Sequence, residues 1–203
     1  MSKFLIFDLD GVLIDSKKNM EFSWSKVNRS LHYEIRFENY FKNIGRPFEE
    51  ILKLLGVKKD ISKAKKIFRD NSIKKFNLIK SYPYVKFTLE KLRKKGYKLG
   101  LITSKESSRT IKLLKKFKLD FKYVQCPIIG KKGKPYPYLL NKMIKKSGNK
   151  KKDTFYIGDT HTDYLFAKNS NINFIFCKYG YGSLKIKSVV KIKKIKELLS
   201  IFC

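Results

Sequence analysis

Two tight pairs of aspartates stand out in a chain poor in acids. "FLIFDLDG" places Asp8 and Asp10 at the end of an apolar run, and "YIGDTHTD" places Asp159 and Asp163 just past a second one. An unpaired buried carboxylate is costly, so acids at the end of a buried strand need a partner or a task. One carboxylate of such a pair can attack an electrophile, and its neighbour can pass a proton to or from the reacting oxygens. Several carboxylates on one rim would also hold a hard divalent cation, for which Mg²⁺ is the natural choice. Gly11 directly after Asp10 lets the backbone turn sharply there.

The elements that must position these acids can be read from the apolar pattern. Short buried strands are expected at Lys3–Phe7, Tyr97–Thr103, Tyr123–Cys126, Thr154–Ile157 and Asn173–Cys177, with a last one near Val189–Val190. Between them lie helices: "VKFTLEKLRKKG" ending at Gly96, Ser107–Lys118, Pro137–Ser147, Asp163–Asn169 and Lys193–Ile201. Alternating strands and helices imply an α/β fold, a Rossmann-like parallel sheet covered on both faces. Ligands of such sheets bind at the carboxyl ends of the strands. Asp8, Asp10, Thr103 and Asp159 therefore converge on one rim.

One interval is too long. Asp10 and Thr103 are 93 residues apart, whereas a crossover with one helix needs about 30. The surplus reads as helices over Glu21–Leu31, Phe48–Leu55 and Ser62–Lys80, with junctions near Ser16 and at "SYPY", residues 81–84. The expected organisation is a core of residues 1–15 and 83–203 and an inserted α-helical cap of residues 16–82, lying as a lid over the rim. Trp24 and the phenylalanines of that stretch are expected in the cap's own core.

The 203 residues carry 48 basic and 17 acidic side chains, a formal charge of +31. Such an excess raises a nucleic-acid partner. The charge is spread, however: 17 basic and 7 acidic residues lie between Ser16 and Tyr82, 31 and 10 elsewhere. Together with abundant Lys, Asn, Ile, Phe and Tyr, this fits compositional drift better than a dedicated surface. No window has the roughly 20 apolar residues of a membrane span, and no signal peptide is evident. Cys126, Cys177 and Cys203 are too scattered for a disulfide framework or a CxxC metal site, so free thiols in a reducing cytoplasm are expected.

Four motifs, "DLDGVLIDS", "LITSK", "GKPYP" and "YIGDTHTD", occur in order. Together they resemble the haloacid dehalogenase superfamily, in its phosphatase and phosphomutase branch with a helical cap after the first strand. The resemblance spans essentially the whole chain. It implies that Asp8 is the nucleophile forming an aspartyl phosphate and that Asp10 is the general acid and then base. It implies Mg²⁺ on the Asp8 and Asp159 side chains and the Asp10 backbone carbonyl. Asp163 would complete the metal site, by holding bound water or Lys134. Thr103, with Ser104 behind it, would donate to the phosphoryl oxygens, and Lys134, selected by the proline after it, would offset developing charge.

The acid at Asp10 separates this chain from dehalogenases and phosphonatases, which lack the DxD pattern. The expected function is a cytoplasmic Mg²⁺-dependent phosphatase for a small phosphorylated metabolite, phosphoglycolate-phosphatase-like; "KYGYG", residues 178–182, resembles the corresponding loop of that subgroup. A sugar-phosphate mutase is the enzymatic alternative, weakened because "SKKNMEFSW" lacks the usual cap histidine. A nucleic-acid-binding protein on a basic scaffold of this fold is the alternative of another class. Arg46, in "NIGRPFEEIL", is a candidate contact for a second anionic group on the substrate. His161 is expected to be a solvent-exposed loop residue. The chain is expected to be a monomer or homodimer with no membrane partner.

Overall fold

The computed structural model describes residues 2–202, so Cys203 lies outside them. Strand β1 (Phe4–Phe7) is buried on both faces, as the middle strand of a covered parallel sheet must be. Successive side chains of a strand point to opposite faces. Leu5 and Phe7 accordingly join one apolar cluster, and Phe4 and Ile6 the other.

After β1 come β2 (Ile14–Asp15), α1 (Lys17–Leu31), α2 (Phe37–Phe41), α3 (Phe48–Leu54), α4 (Ile61–Lys74) and β3 (Lys80–Ser81). Next are α5 (Val85–Lys94), β4 (Lys98–Ile102), α6 (Ser107–Lys116), β5 (Tyr123–Gln125) and α7 (Tyr138–Ser147). The chain closes with β6 (Thr154–Gly158), α8 (His161–Asn169), β7 (Asn173–Cys177), β8 (Val190–Ile192) and α9 (Leu198–Phe202). Six strands form one parallel sheet in the order β5-β4-β1-β6-β7-β8. Helices α5, α6 and α9 cover one face, α7 and α8 the other. This is the expected α/β sheet, with the ends of β1, β4 and β6 side by side.

Helices α1 to α4 enclose a third apolar cluster of their own, with Trp24, Tyr40, Leu52 and Phe68 at its centre. Trp24 stacks on Tyr40 at 4.6 Å between ring centroids and donates its Nε1–H to the Ile35 carbonyl.

Several boundaries differ from the sequence reading. Helix α1 begins at Lys17 rather than Glu21, because its first turn buries a polar residue, Asn19, that no apolar pattern reveals. Asn19 Nδ2 donates to the carbonyls of Ser72 and Lys75. These are end groups of α4, which stops at Lys74 instead of running to Lys80. Helix α8 begins at His161, not Asp163, because Thr160 and Asp163 form a reciprocal capping box. His161 is thus an exposed first-turn helix residue rather than a loop residue. The segment expected as one helix from Lys193 to Ile201 splits into a 3₁₀ turn, Ile195–Glu197, and α9. Helix α2 and the β2–β3 pair are too short to leave a periodic signature.

Among the described residues, no helix is long and apolar enough to cross a membrane. Cys126 and Cys177 are free thiols.

Candidate active site

The site is assembled from β1 outward. Asp8 continues β1, its N–H donating to Ile157 O at 2.9 Å. The chain then reverses within one turn: Gly11 N–H donates to Ile14 O and Leu13 N–H to Leu9 O. Gly11 has φ +84°, and a Cβ there would stand 2.1 Å from Asp159 Oδ2. Only glycine permits both that backbone and that approach.

Asp8, Asp159 and Asp163 are buried, and each offers a carboxylate oxygen within 4.8 Å of the others. One cation serves this group. Lys134 is fully buried, with Nζ 2.7 Å from Asp8 Oδ1 and 2.8 Å from Asp163 Oδ1. It lies against the rings of Tyr156 and Phe166. Three carboxylates against one ammonium leave surplus negative charge. Burial, opposed by Lys134 and aided by Asp163, pushes the Asp8 carboxyl up from its ordinary 3.8 to about 7. Burial, with Asp163 and Asp8, pushes Asp159 up as well, against the opposing pull of the Tyr181 N–H and Lys134. Burial alone would lower Lys134, but Asp163 and Asp8 hold it above the ordinary lysine range.

The two aspartates past β6 do different things. Asp163 Oδ2 accepts from the backbone N–H groups of Asp159 and Thr160 and from Thr160 Oγ1, while Oδ1 accepts from Lys134. Its oxygens are already engaged. Asp159 Oδ2 accepts from Tyr181 N–H at 2.7 Å, but its Oδ1 is buried with no hydrogen-bond partner. The 178–182 loop wraps it closely: a Cβ on Gly180 would stand 2.3 Å from Asp159 Cβ, and one on Gly182 2.4 Å from Asp159 O. An orphaned buried carboxylate oxygen beside two more acids, all hard oxygen donors, fits a divalent cation.

Asp10 is adjacent in sequence but not part of this trio. Its Oδ1 accepts from Ser16 Oγ at 2.5 Å, and its Oδ2 lies 3.1 Å from Lys105 Nζ. Burial lowers the Lys105 pKa against the opposing pull of Asp10. Thr103, at the end of β4, is buried, and its Oγ1 accepts from Lys105 N–H, which leaves its own proton free to donate. Ser104 Oγ donates to Gly45 O at 2.6 Å, a bond across to the loop before α3. Arg46, next in that loop, is half-buried.

A cavity of about 770 Å³ opens between the rim and helices α3 and α4, lined by Asp8, Asp10, Thr103, Ser104, Arg46 and Phe68 among others. The rim thus gathers Asp8, Lys134, Asp159 and Asp163, and places Asp10, Gly11, Thr103, Ser104 and Arg46 around it. Sequence reasoning passed over Lys105, Arg109 and Tyr181. Lys105 was masked by the lysine excess, Arg109 by its place in an ordinary amphipathic helix, and Tyr181 reaches Asp159 through its backbone N–H, which no side-chain pattern reports.

The family model for haloacid dehalogenase-like hydrolases matches residues 5–177, from β1 through β7. The chain belongs to the haloacid dehalogenase-like hydrolases. Among relatives in this family, the phosphoglycolate phosphatase of Aquifex aeolicus is 28% identical over 187 residues, covering 90% of this chain and 87% of its own. The pyrophosphatase PpaX of Bacillus cereus is 30% identical over 181 residues, covering 82% of this chain and 78% of its own. Among solved structures, a Pseudomonas syringae hydrolase superposes with a TM-score of 0.87 at 22% identity, covering 98% of this chain and 97% of its own. A haloacid dehalogenase-like family protein of Streptococcus pneumoniae gives 0.85 at 21% identity, over 100% and 99%. These two likenesses speak to the fold.

Proposed function

We propose that this hydrolase is a Mg²⁺-dependent phosphatase that cleaves a small phosphomonoester through an aspartyl phosphate on Asp8. The observation that carries the reading is the Asp8–Lys134–Asp163 chain beside the unpartnered Asp159 Oδ1. A buried carboxylate held at a strand end, with a fixed ammonium alongside, is set up for in-line attack on a phosphoryl group. The names of the relatives, a phosphoglycolate phosphatase and a pyrophosphatase, both point to cleavage of a P–O bond, in an ester and in an anhydride.

In this reading Asp8 Oδ attacks phosphorus as the bond to the leaving oxygen breaks, and Asp10 gives that oxygen its proton. Water then attacks the phosphoryl group on Asp8, Asp10 takes the water's proton, and the carboxylate is regenerated with release of phosphate. Ser16 and Lys105 fix the direction of the Asp10 carboxylate. Thr103 and Lys134 donate to the phosphoryl oxygens, and Asp163 holds Lys134 in place. Asp8, Asp159 and the Asp10 carbonyl would hold Mg²⁺, which supplies positive charge to offset the phosphoryl oxygens. Residues 16–82 serve as a cap, closing on the core through the Ser104–Gly45 bond and excluding water from the cavity. Free thiols at Cys126 and Cys177 suit a reducing cytoplasm.

The test is hydrolysis of an aryl phosphate with and without Mg²⁺. Wild type turns over with Mg²⁺, and Asp8→Asn lowers kcat by at least about 10⁴-fold, since no nucleophile replaces the lost carboxylate. Full activity in that variant overturns the mechanism.

A further inference from the structure

Of the chain's 48 basic residues, 42 are lysine and six are arginine. Among the described residues only Lys105, Arg109 and Lys134 are buried cations, and all three lie at this site. Lys134 is matched by two carboxylates and Lys105 by one. Arg109, 6% exposed, makes no ion pair among the described residues. Asp10, the acid it feels most strongly, has its two oxygens taken by Ser16 and Lys105. One Arg109 amino group (Nη2) donates to Ser72 Oγ on α4, and the guanidinium carbon sits 5.8 Å from the Phe68 ring centroid. Its Nε–H is buried with no partner.

A buried guanidinium with no ion-paired acid is poorly compensated for its lost hydration until an anion comes to it. Arg109 borders the same cavity as Asp8, Thr103 and Arg46. Its planar fork matches a carboxylate or a phosphoryl group in a way a lysine does not.

We infer that Arg109 is the specificity-determining residue for a second anionic group on the substrate, a carboxylate or a second phosphoryl, while the scissile phosphoryl sits at Asp8. This rests on the phosphatase reading and deepens it. An ester with a neutral tail leaves Arg109 desolvated and unmatched, so the cavity rejects it.

The competing role for Arg109 is a strut that ties α6 to α4 through Ser72. Steady-state kinetics on phosphoglycolate, pyrophosphate and ethyl phosphate separate the two. Wild type should prefer at least one charged-tail substrate over ethyl phosphate by about 100-fold in kcat/KM, the scale set by an unmatched buried polar group. Arg109→Met should shrink that ratio to below about 5-fold, and Arg109→Lys should fall between, because charge survives without the fork. Ser72→Ala, which removes the strut bond but keeps the guanidinium, should preserve the ratio. Whichever charged tail wins identifies the second group as carboxylate or phosphoryl.

A wild-type ratio near one, an unchanged ratio in Arg109→Met, or collapse of the ratio in Ser72→Ala overturns the inference. If Arg109→Met fails to fold, the wild-type and Ser72→Ala ratios decide. Turnover of every substrate without preference sinks this inference alone, whereas no turnover of these substrates or of an aryl phosphate sinks the phosphatase reading with it.

Discussion

The cavity has two unlike walls. At the ends of β1 and β6 opposite charges meet: Lys134 bridges Asp8 and Asp163, and Asp163 is locked in the capping box with Thr160. Across the cavity, the wall of α3, α4 and α6 sets Phe48 and Phe68 among exposed charges of both signs, such as the Lys65–Glu49 pair, and buries Arg109 with no ion-paired acid; Arg46 is half-buried in a loop. Burial has opposite outcomes for the cations on the two sides. Lys134, with two acids, is held above the lysine range, while Lys105, with one, and Arg109, with no ion-paired acid, are pulled below theirs. The first wall pairs its one fixed cation internally, yet leaves Asp159 Oδ1 open. The second is completed by what enters.

The sharpest way to break this contrast is to remove its central cation. Lys134→Met strands two buried carboxylates, so it should cost about 3–5 kcal/mol of stability by urea unfolding and about 10²–10³-fold in kcat. A variant of normal stability and activity would show that the first wall does not depend on its internal pairing.

A smaller effect comes from crowding Asp159. Gly180→Ala forces a Cβ to within 2.3 Å of Asp159 Cβ, and, with Asp159 as the proposed Mg²⁺ ligand, disturbing the group that orients it should weaken metal binding about 10–100-fold. Gly56, between α3 and α4, has φ +80° with open space around it. Gly56→Ala should therefore cost about 1 kcal/mol of backbone strain and leave the Mg²⁺ requirement unchanged. Equal Mg²⁺ requirements in the two variants would show that the close approach of Gly180 does not position Asp159.

The smallest effect is on melting temperature. The folded-state pKa of Asp8 is raised from 3.8 to about 7. Its contribution to stability is therefore complete below pH 3.8 and is lost as pH rises through about 7. Calorimetry of metal-free protein should show Tm falling over that interval. Added Mg²⁺ should raise Tm by a few degrees at pH 8 and hardly at all at pH 5, because only ionised carboxylates bind it. A Mg²⁺ effect larger at pH 5 would contradict the assigned charge state.

The first wall was far more legible in the sequence than the second. Asp8, Asp10, Thr103 and Asp159 stand just past or at the ends of apolar runs, and strand ends of a parallel sheet share an edge, so their convergence follows from alternation alone. Acids are rare enough in this chain that each pair is conspicuous. Arg109 and Lys105 had no such contrast, being two more cations among 48. What distinguishes them is burial and the partners they have or lack, which depend on the packing of α6 against α4. Asn19, Ser72 and the short β2 and β3 were hidden for a related reason: buried polar contacts and two-residue strands carry no period.

The β2–β3 pair has a consequence for how the molecule can change. Ile14 pairs with Ser81 and Asp15 with Lys80, so the stretch between them leaves and rejoins the rest of the chain at the same place. With exit and entry stitched together, the entropy of closing the loop is nearly indifferent to what lies between, since it grows only slowly with length. The stretch between them can be lengthened, shortened or exchanged while β1 keeps its neighbours. On the proposed reading of residues 16–82 as a cap, the fold works like a socket: one reaction centre, to which evolution or an engineer can fit different selectors.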